Sequence, residues 1–520
     1  MSLKSNHQGD LLNASIAYGS LLDAAEPMKL FAEHIYPAFR DNDFRDCYAD
    51  KGRNGISPAF LALVTILQWR ESLSDVETAQ ACDFRIDWKI ALHLRIEDVN
   101  LFEASTLCRF RRRLLEHEKA SLMFDKILNL CIEKGFVKKR GRQRVDATHI
   151  VKHVNRISTT DLLFRSVKAL VEELEQKFPD ICEDRLPEDI RERYAKTFSS
   201  FGMSKQRRGD KQAELIQDGL MLQAIAGECA IADELVQLPV MLTVFQENVI
   251  FRQKEVGEKI FIEAEEIEAP KQTIFEPKDP SLQLGIKGKT HWVGAKCQIT
   301  ETAEPKGTIN FITGVIEEIA QKSDQKSHDA LMAQNEKFGL EPEKVYADSN
   351  YISGEAIAKY REKSQELMGY FAPPSGNKNG FGIGNFTIHN EDYSAICPAG
   401  KQSIRTTLQG DGRRNVYFSS ADCLSCQFHS LCTESKTKRG KKLTLKKHHN
   451  EITERRKLQR TEEFRTEMKL RPAIEGTISE LFRVHGFRKI KYKGQKGRQF
   501  QCYSAATALN VRRLLKAIAK

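Results

Sequence analysis

The spacing of apolar residues predicts helices over the first part of the chain. Ser57 precedes a run of helical character at residues 60–69, and Ser74 and Glu77 have the spacing of a capping box. A further amphipathic segment carries arginines on its polar faces: Arg109, Arg111, Arg112 and Arg113. We therefore expect a helical domain over residues 1–135, either a helix-turn-helix-like DNA-binding module or an ordinary helical bundle with a basic outer face.

Strand-like alternation begins just after this domain and returns later in the chain. It surrounds Asp146, and it reappears at residues 291–300, 308–316 and 345–347, with helical and charged segments between. The pattern predicts an α/β core, a sheet flanked by helices, that is interrupted by insertions. The predicted parts are a first core segment at 136–157, a mainly helical insertion at 158–275, a second core segment at 276–371, a Cys-rich insertion at 372–450 and a final core segment at 451–520.

The charge of the chain points to a polyanionic partner. Its 520 residues contain 81 Lys and Arg against 71 Asp and Glu, a net charge of +10. The basic residues are concentrated in runs at 138–144, 205–211, 436–447 and 483–498. Several such runs favour nucleic acid as the partner. The first residues do not resemble a secretion signal and no apolar stretch is long enough for a membrane helix, so we expect a cytoplasmic protein with no membrane partner.

The cysteines fall into two groups. Eight are isolated, as expected for reduced thiols in apolar settings, among them Cys82, Cys108, Cys131 and Cys229. The other four are Cys397, Cys423, Cys426 and Cys432, and they include a CxxC step that suits a tetrahedral Zn²⁺ site, with His429 as an alternative ligand. A reduced or redox-labile cysteine cluster is the competing interpretation, and an iron–sulfur cluster is a weaker one.

Three acidic residues suit one metal centre although they lie far apart in sequence. Asp146 lies within a predicted strand, Asp348 lies at the carboxyl end of another, and Glu475 follows Pro472 on the first turn of a predicted helix. Carboxylates held close together repel each other unless a hard cation neutralises them. We therefore predict Mg²⁺, held as two ions about 3.5–4 Å apart for phosphoryl chemistry. Each acid alone is weak evidence, since strand-end Asp and helix-start Glu residues are common in turns and caps.

These segments also carry a family resemblance. The chain resembles the DDE transposases of bacterial insertion sequences, in the group with a helical amino-terminal domain. The resemblance lies in LSDVETAQACDFRIDWKIALHL and STLCRFRRRLLEH, then in VDATHI, DPSLQLGIKGKTHWVGAKCQI, YADSNY, CPAGK with CLSCQFHSLC, and RPAIEGT. It covers the chain almost from end to end.

The resemblance implies a ribonuclease H-like catalytic core with a mixed sheet, in which Asp146, Asp348 and Glu475 are catalytic and bind Mg²⁺, with Mn²⁺ as a substitute. It also implies cleavage at the ends of a mobile element in double-stranded DNA, strand transfer into target DNA, and a dimer when two ends are paired. The DNA-facing basic residues that it suggests are Lys287, Lys289, Lys296 and Arg471.

One motif of the family is incomplete in this chain. Relatives often carry Tyr three positions before the arginine and Lys seven positions after the glutamate, where this chain has Met468 and Phe482. Arg483 or Arg488 is the expected basic substitute. Two other functions stay open from sequence: a nuclease with the same core that joins nothing, and a zinc-stabilised DNA-binding regulator that needs none of the three acids.

Overall fold

A computed structural model describes residues 13–19, 22–49, 55–154, 157–256, 259–268, 270–322, 324–371, 380–432 and 439–520. Its first part is helical, with short π and 3₁₀ turns between the second and third helices. The helices are α1 (Ala14–Tyr18), α2 (Pro27–Leu30), α3 (Pro58–Glu71), α4 (Asp75–Phe84), α5 (Ile86–Ala91), α6 (Ala104–Glu116) and α7 (Leu122–Glu133). Among the described residues, every helix is too short or too polar to cross a membrane.

Two of the helix starts are fixed by the capping residues that the sequence predicts. The Ser57 hydroxyl accepts a hydrogen bond of 3.1 Å from the Phe60 amide at the start of α3. At α4, the Glu77 amide donates to Ser74 Oγ at 3.3 Å, and the Ser74 amide donates to Glu77 Oε2 at 2.7 Å. The predicted capping box is confirmed, and it satisfies amide donors that would otherwise lack partners.

After the first core strand comes a long insertion. Strand β1 (Arg142–Val154) is followed by the helices α8 (Thr159–Lys177), α9 (Pro179–Arg185), α10 (Glu188–Ala195), α11 (Lys205–Glu228) and α12 (Gln237–Asn248), and then by the antiparallel strands β2 (Val249–Val256) and β3 (Lys259–Glu266). The insertion has its own apolar core, built largely from α8, α11 and α12. The hairpin β2–β3 is an addition to the helices that the sequence pattern predicts for this region.

The rest of the central sheet follows the insertion. Its elements are β4 (Gln283–Lys287), β5 (Thr290–Thr302), β6 (Ile312–Ile319), α13 (Asp324–Lys337), β7 (Lys344–Tyr346), α14 (Gly354–Glu362) and β8 (Glu366–Met368). The strand order is β4–β5–β1–β7–β8, and β6 also pairs with β5. Strands β4, β5, β6 and β1 pair in antiparallel fashion, whereas β1, β7 and β8 are parallel. The protein therefore has an α/β core with a mixed sheet.

The last part of the chain contains a small region with its own core and then the helices that complete the sheet. The small region comprises β9 (Thr387–Ile388), β10 (Ala395–Ile396), β11 (Arg405–Leu408), β12 (Arg414–Tyr417), α15 (Ser420–Leu424), α16 (His429–Cys432) and β13 (Lys442–Leu445). It is followed by α17 (His449–Leu458), α18 (Glu462–Met468), α19 (Ile474–His485) and α20 (Gly494–Ile518).

A single apolar core joins the first helices to the sheet. It includes Leu67 and Trp69 of α3, Ile150 of β1 and the buried side of α20, so α3, α7, α19 and α20 cover one face of the sheet. Val145, one position before Asp146, belongs instead to a second cluster with α13 and α14 on the other face. Successive residues of β1 thus face opposite sides, as strand geometry requires.

A buried ion network ties these layers together beside Asp146. The Glu301 side chain of β5 is fully buried, and it accepts from Arg144 Nε at 2.7 Å, from Thr477 Oγ1 at 2.7 Å and from Arg513 Nη1 at 3.1 Å. Arg144 also donates to the Leu470 carbonyl at 2.9 Å. One carboxylate therefore connects β1, β5, α19 and α20.

Replacing Glu301 by Gln should destabilise the protein by about 3–5 kcal/mol, because the buried Arg144 guanidinium would lose its counter-charge and Arg513 would keep only Glu480. The measurement is the urea unfolding midpoint of purified variants. The control is Glu341→Gln, whose exposed carboxylate lies 4.0 Å from Arg140 and which should change stability by less than about 1 kcal/mol. Equal midpoints for the two variants would contradict a central role for the network.

Candidate active site

Asp146 sits on β1 at the point where the sheet meets α19. Its even position gives it the same face of the strand as Ile150, the face that α19 covers. Its Oδ1 accepts from the Ala147 amide at 2.8 Å, and its Oδ2 accepts from Arg471 Nη2 at 2.9 Å. The side chain is 15% exposed, which makes it the most sheltered of the three acids.

The register of the sheet places Asp348 beside it. Strands β1 and β7 run parallel, with Arg144 opposite Tyr346. Asp146 lies two residues after Arg144, and Asp348 lies two residues after Tyr346. The two acids are therefore side by side just past the end of β7. Asp348 Oδ1 accepts from the Asn350 amide at 2.8 Å, which is an Asx turn that fixes the carboxylate at the strand end.

Glu475 completes the group from the first turn of α19. The short 3₁₀ turn Arg471–Ala473 leads directly into this helix, so Arg471 and Glu475 lie one turn apart. Arg471 Nη1 lies 3.4 Å from Glu475 Oε1, and its Nη2 lies 3.8 Å from Asp348 Oδ2. A single guanidinium therefore contacts all three acids that the sequence analysis brought together.

The electrostatics of the site are unfavourable for Asp146. Burial raises the pKa of the Asp146 carboxyl, and the charges of Asp348 and Glu475 raise it further. Arg471 and the Ala147 amide act in the opposite direction, but they do not fully offset the burial. The site thus holds negative charge at a cost, and a cation between the carboxylates reduces that cost.

The carboxylates fit a hard cation in kind and in placement, but they are not closed around one. They converge on one cationic group from two strands and a helix, and oxygen donors of this type are those that Mg²⁺ prefers. Within the described part of the chain, no group of three or more His, Cys, Asp or Glu side chains has the arrangement of a preformed metal site. The Arg471 guanidinium lies between the acids and is within 3.8 Å of an oxygen of each.

The arginines predicted on α6 differ in their surroundings. Arg109 and Arg112 are exposed, and Arg113 is half-buried over the Tyr48 ring at 4.8 Å. Arg111 is buried and donates to both oxygens of Asp75 at 2.8 and 2.6 Å. A DNA contact by Arg111 was therefore the wrong expectation, because its guanidinium is committed to holding α4 against α6.

The lysines predicted around β4 and β5 are likewise not equivalent. Lys289 is exposed in the turn between the two strands. Lys296 Nζ donates to the Lys322 carbonyl at 2.7 Å, so part of its role is to fasten the loop after β6. The side chain of Lys287 lies outside the described residues.

The two positions that depart from the family motif are Met468 and Phe482. Packing explains the first, and a nearby arginine supplies the missing cation at the second. Met468 is buried against Phe464 and Tyr346, where an apolar side chain is suited to the site. Phe482 is half-buried, and the exposed Arg488 places its guanidinium 5.3 Å from the ring centre. Arg483 is also exposed, one residue after Phe482. The structure thus puts a cation next to Phe482 through Arg488.

The four clustered cysteines line one small cavity of about 30 Å³ in the region that contains β9 to β13. Backbone amides donate to three of the sulfurs: Lys401 to Cys397 at 3.4 Å, Phe428 to Cys426 at 3.4 Å and Lys441 to Cys423 at 3.3 Å. The pKa of the Cys432 thiol is raised, first by burial and then by the other three cysteines. His429 Nε2 is buried without a hydrogen-bond partner among the described residues.

The isolated cysteines fulfil the expectation of core thiols only in part. Cys82 and Cys131 are buried, and Cys229 is half-buried. Cys108 is exposed on α6, which corrects the prediction for that residue.

The fold and the site together define a mixed α/β core that holds a cluster of three carboxylates at the end of a parallel strand pair. Comparison with protein families then gives two matches. Residues 396–515 match the transposase DDE domain, and residues 18–113 match a transposase domain, DUF772. These matches indicate a DDE transposase of insertion-sequence type, and the DDE match supports an enzyme that acts on DNA. No curated protein and no solved structure matches the chain.

The DDE match covers Glu475 and all four clustered cysteines but neither Asp146 nor Asp348. The two aspartates are included in the site because the sheet register and their contacts with Arg471 place them there. The DUF772 match covers α3 to α5 and most of α6, including the four arginines.

Sequence reasoning missed the residues that hold the site in place. Arg144 was counted within a basic run, and Glu301, Thr477 and Arg513 were not singled out. A signal was present for Arg144, which shares the inward face of β1 with Asp146 and Ile150. The central position of Arg471 between the acids also required the structure.

Asp146→Asn should make the metal-free protein more stable at neutral pH. The pKa of Asp146 is raised on folding, so its carboxylate destabilises the folded state once the pH exceeds its unfolded value of 3.8. The advantage of the variant should be absent in strong acid and should increase as the pH rises through the raised pKa. It is measured as the unfolding midpoint across pH in magnesium-free buffer.

The matched control for this measurement is Asp46→Asn. The pKa of Asp46 is lowered, chiefly by its hydrogen bond to Lys119, so its charge stabilises the folded state above the unfolded pKa. This variant should lose stability at neutral pH and match the wild type in acid. Two variants with the same sign at neutral pH would contradict the electrostatic description of Asp146.

Proposed function

We propose that this protein binds the ends of its mobile element in double-stranded DNA, cleaves them in a metal-dependent reaction and transfers the freed strands into target DNA. Support comes from the convergence of Asp146, Asp348 and Glu475 on one cationic group, together with the two transposase matches. The mixed sheet with helices on both faces, together with the DDE match, supports a ribonuclease H-like core. As an enzyme of DNA, it would act in the cytoplasm, as a dimer when two ends are paired.

In this proposal Asp146, Asp348 and Glu475 hold divalent cations, Mg²⁺ or Mn²⁺. The bound cations would supply Lewis-acid stabilisation of the attacking and leaving oxygens of the phosphodiester. Cleavage adds water at phosphorus and breaks the bond to the 3′ oxygen, which leaves a 3′-hydroxyl and a 5′-phosphate. In strand transfer this hydroxyl attacks a target phosphodiester, one ester replaces another, and the displaced oxygen takes up the proton.

Arg471 has a double role in this proposal. Without metal it is the counter-ion of the acid cluster. Its Nε has no hydrogen-bond partner among the described residues, so the guanidinium is held by the three carboxylates. With cations bound to the acids, the guanidinium would be available to donate to a phosphate oxygen, a contact for which its planar fork is suited.

Exposed cations of the core are the proposed DNA contacts in this part of the protein. Arg483 and Arg488 follow Glu475 on and just after α19, and Lys289 lies in the β4–β5 turn. On the first domain, Arg109 and Arg112 are the accessible members of the α6 group, with Arg113 partly accessible. Because such contacts neutralise phosphates, DNA affinity should depend on them more than on the acids.

We further propose that Cys397, Cys423, Cys426 and Cys432 bind one structural Zn²⁺. The support is their shared cavity and the three amide donors aimed at sulfur, which stabilise negative charge on thiolates. The small apolar core of this region would be strengthened by such a cross-link. His429 lines the same cavity and is the alternative fourth ligand.

Asp348→Asn should abolish cleavage and joining while DNA binding is retained. A loss of about a thousandfold in rate corresponds to about 4 kcal/mol of barrier. The experiment incubates wild type and variant with Mg²⁺ and labelled DNA carrying the repeats that flank the gene, and it separates cleaved from joined products. The control is Asp329→Asn, an exposed ion-paired aspartate of α13, which should act at the wild-type rate.

The outcomes of this experiment separate the candidate functions. Joined product from the wild type and the control alone supports a transposase. Cleavage without joining indicates a nuclease, and binding without either reaction indicates a DNA-binding regulator. Normal cleavage by Asp348→Asn would refute the assignment of the acids.

The purified protein should contain about one equivalent of zinc per chain. Elemental analysis should show that a Cys423→Ser, Cys426→Ser double variant loses the metal, whereas Cys108→Ser, at an exposed thiol on α6, retains it. Thiol titration of the unfolded wild type should find all cysteines reduced. Zinc-free protein with four thiols missing from the titration would indicate disulfides instead.

A further inference from the structure

A second charged site lies on β1 beyond the acid cluster. A cavity of about 390 Å³ opens where β1, α8, the loop before β4 and the segment after α19 meet. Six basic side chains line it: Lys152, Arg165, Lys168, Lys278, Lys491 and Lys493. None of the six is among the predicted site residues, and Lys152, Arg165, Lys168 and Lys278 lie outside the basic runs of the sequence.

The two carboxylates of the cavity do not balance these cations. Glu276 is buried and is bound to His153 at 2.6 Å and to Arg165 at 3.4 Å. Asp279 is also buried, and its Oδ2 accepts from Arg498 at 2.6 Å and from the Gly494 amide at 2.9 Å. Both acids are therefore occupied within the fold, and the cavity keeps an excess of positive charge.

Acidic side chains offset part of this charge: Lys278 is ion-paired with Glu172, and Lys152 interacts electrostatically with Glu276. The Lys493 side chain makes no hydrogen bond or ion pair with any residue that the structure describes. Lys168 Nζ donates to the carbonyls of Ala195 and Lys196, at 3.4 and 3.0 Å, and has no acidic partner in the described part of the chain. Lys491 lies over the Trp69 ring at 4.2 Å. A concave surface with this excess of ammonium groups favours an anionic ligand.

The β-bulge of β1 aims the side chains at this cavity. Val151 is opposite Gly294 and His153 is opposite Val293, so Lys152 is the extra residue of the strand. A bulge of this type re-aims side chains, and here Lys152 and His153 both reach the cavity. Gly294 is required opposite the bulge, since a Cβ there would lie 2.1 Å from the Ile150 carbonyl oxygen.

The cavity and the acid cluster lie along the same edge of strand β1, because β7 pairs with its residues 142–144 and the segment after α19 pairs with Val151. Helix α19 starts beside Asp146, and the segment after it returns to β1, where the Val151 amide donates to the Arg488 carbonyl at 2.7 Å. Six residues of strand separate Asp146 from Lys152, about 20 Å at strand rise. Exposed Arg483, Arg488 and Lys489 lie between the two sites.

We propose that this cavity binds the phosphate backbone of the end DNA about six base pairs from the cleaved phosphate, given a rise of about 3.4 Å per base pair. The inference rests on the proposed function, because it takes the acid cluster as the place of cleavage. The contact is to phosphate and not to base edges, since lysine and arginine ends in a concave wall recognise charge without reading sequence.

The test compares charge reversal at the cavity with charge reversal elsewhere. The cavity variant is Lys152→Glu with Lys493→Glu. The control is Lys306→Glu with Lys516→Glu, two exposed lysines without described partners near the other end of α20, about 30 Å from Lys493 by helix length. Binding of a labelled end duplex is measured by fluorescence anisotropy over a range of salt concentrations.

The cavity variant should bind about 10–100-fold more weakly, and its slope of log affinity against log salt should be shallower by about 2. The control should stay within about threefold of the wild type. Lys152→Gln with Lys493→Gln should bind with intermediate affinity. This pair is also the folding control, because Lys152→Glu places a second negative charge near buried Glu276, whereas the Gln pair should unfold thermally close to the wild type. Equal affinity of cavity and control variants would overturn the inference.

A second measurement locates the contact. Neutral methylphosphonate linkages are placed five to seven positions from the cleaved phosphate, on each side in turn. One of these duplexes should weaken binding by the wild type but not by the cavity variant, and no effect on the wild type at either side would overturn the inference.

The proposed function and the cavity contact fail in different experiments. If the proposed function is wrong, the wild type gives no joined product, whatever the binding measurements show for the cavity variant. Loss of affinity for single-stranded RNA but not for the duplex in the cavity variant would also overturn the assignment to DNA.

Discussion

The buried carboxylate of Glu301 is the constraint on which the geometry of the acid cluster depends. It joins Arg144 of β1, Thr477 of α19 and Arg513 of α20, and Arg144 also holds the Leu470 carbonyl just before Arg471. Burying one carboxylate with two guanidinium groups is costly unless the hydrogen bonds are satisfied. Here the shared hydroxyl of Thr477 and the backbone carbonyl complete the network. The first turn of α19 is thereby fixed relative to Asp146, two residues from Arg144, so that Glu475 and Arg471 reach the sheet edge.

The Glu301 network holds in place an acid cluster whose own electrostatic energy is unfavourable. Three carboxylates face one another, and both burial and the charges of the other two acids raise the pKa of Asp146. Arg471 offsets part of this cost, and its Nε has no hydrogen-bond partner among the described residues. The charge balance of the cluster is therefore incomplete in the free protein. Such a site is suited to binding cations together with phosphate, because bound cations would neutralise the carboxylate charge that the protein itself leaves uncompensated.

The sequence was informative where local chemistry decides structure and misleading where burial decides it. The Ser74–Glu77 capping box, the strand around Asp146 and the helix that begins near Glu475 follow from patterns of a few residues. Arg111 and Arg498 were counted among DNA-facing or basic segments, yet both are buried in ion pairs, with Asp75 in one case and with Asp279 and Glu317 in the other. A basic run gives no information on which of its members faces inward, since the partner carboxylates come from distant parts of the chain.

Asp146 and Asp348 are far apart in sequence, and the register of two strands brings them together. Two parallel strands bring the acids abreast because Arg144 lies opposite Tyr346. A shift of one residue would turn one acid to the face covered by α13 and α14 and would separate it from Arg471 and Glu475. The register is held by Val145 and Val345, which pack on that opposite face, and by the Arg144–Glu301 pair on the near side. The same alternation carries Lys152 beyond the acids, where the bulge turns it toward the basic cavity. Strand β1 thus sets the position of the acid cluster and of the basic surface beside it through one register.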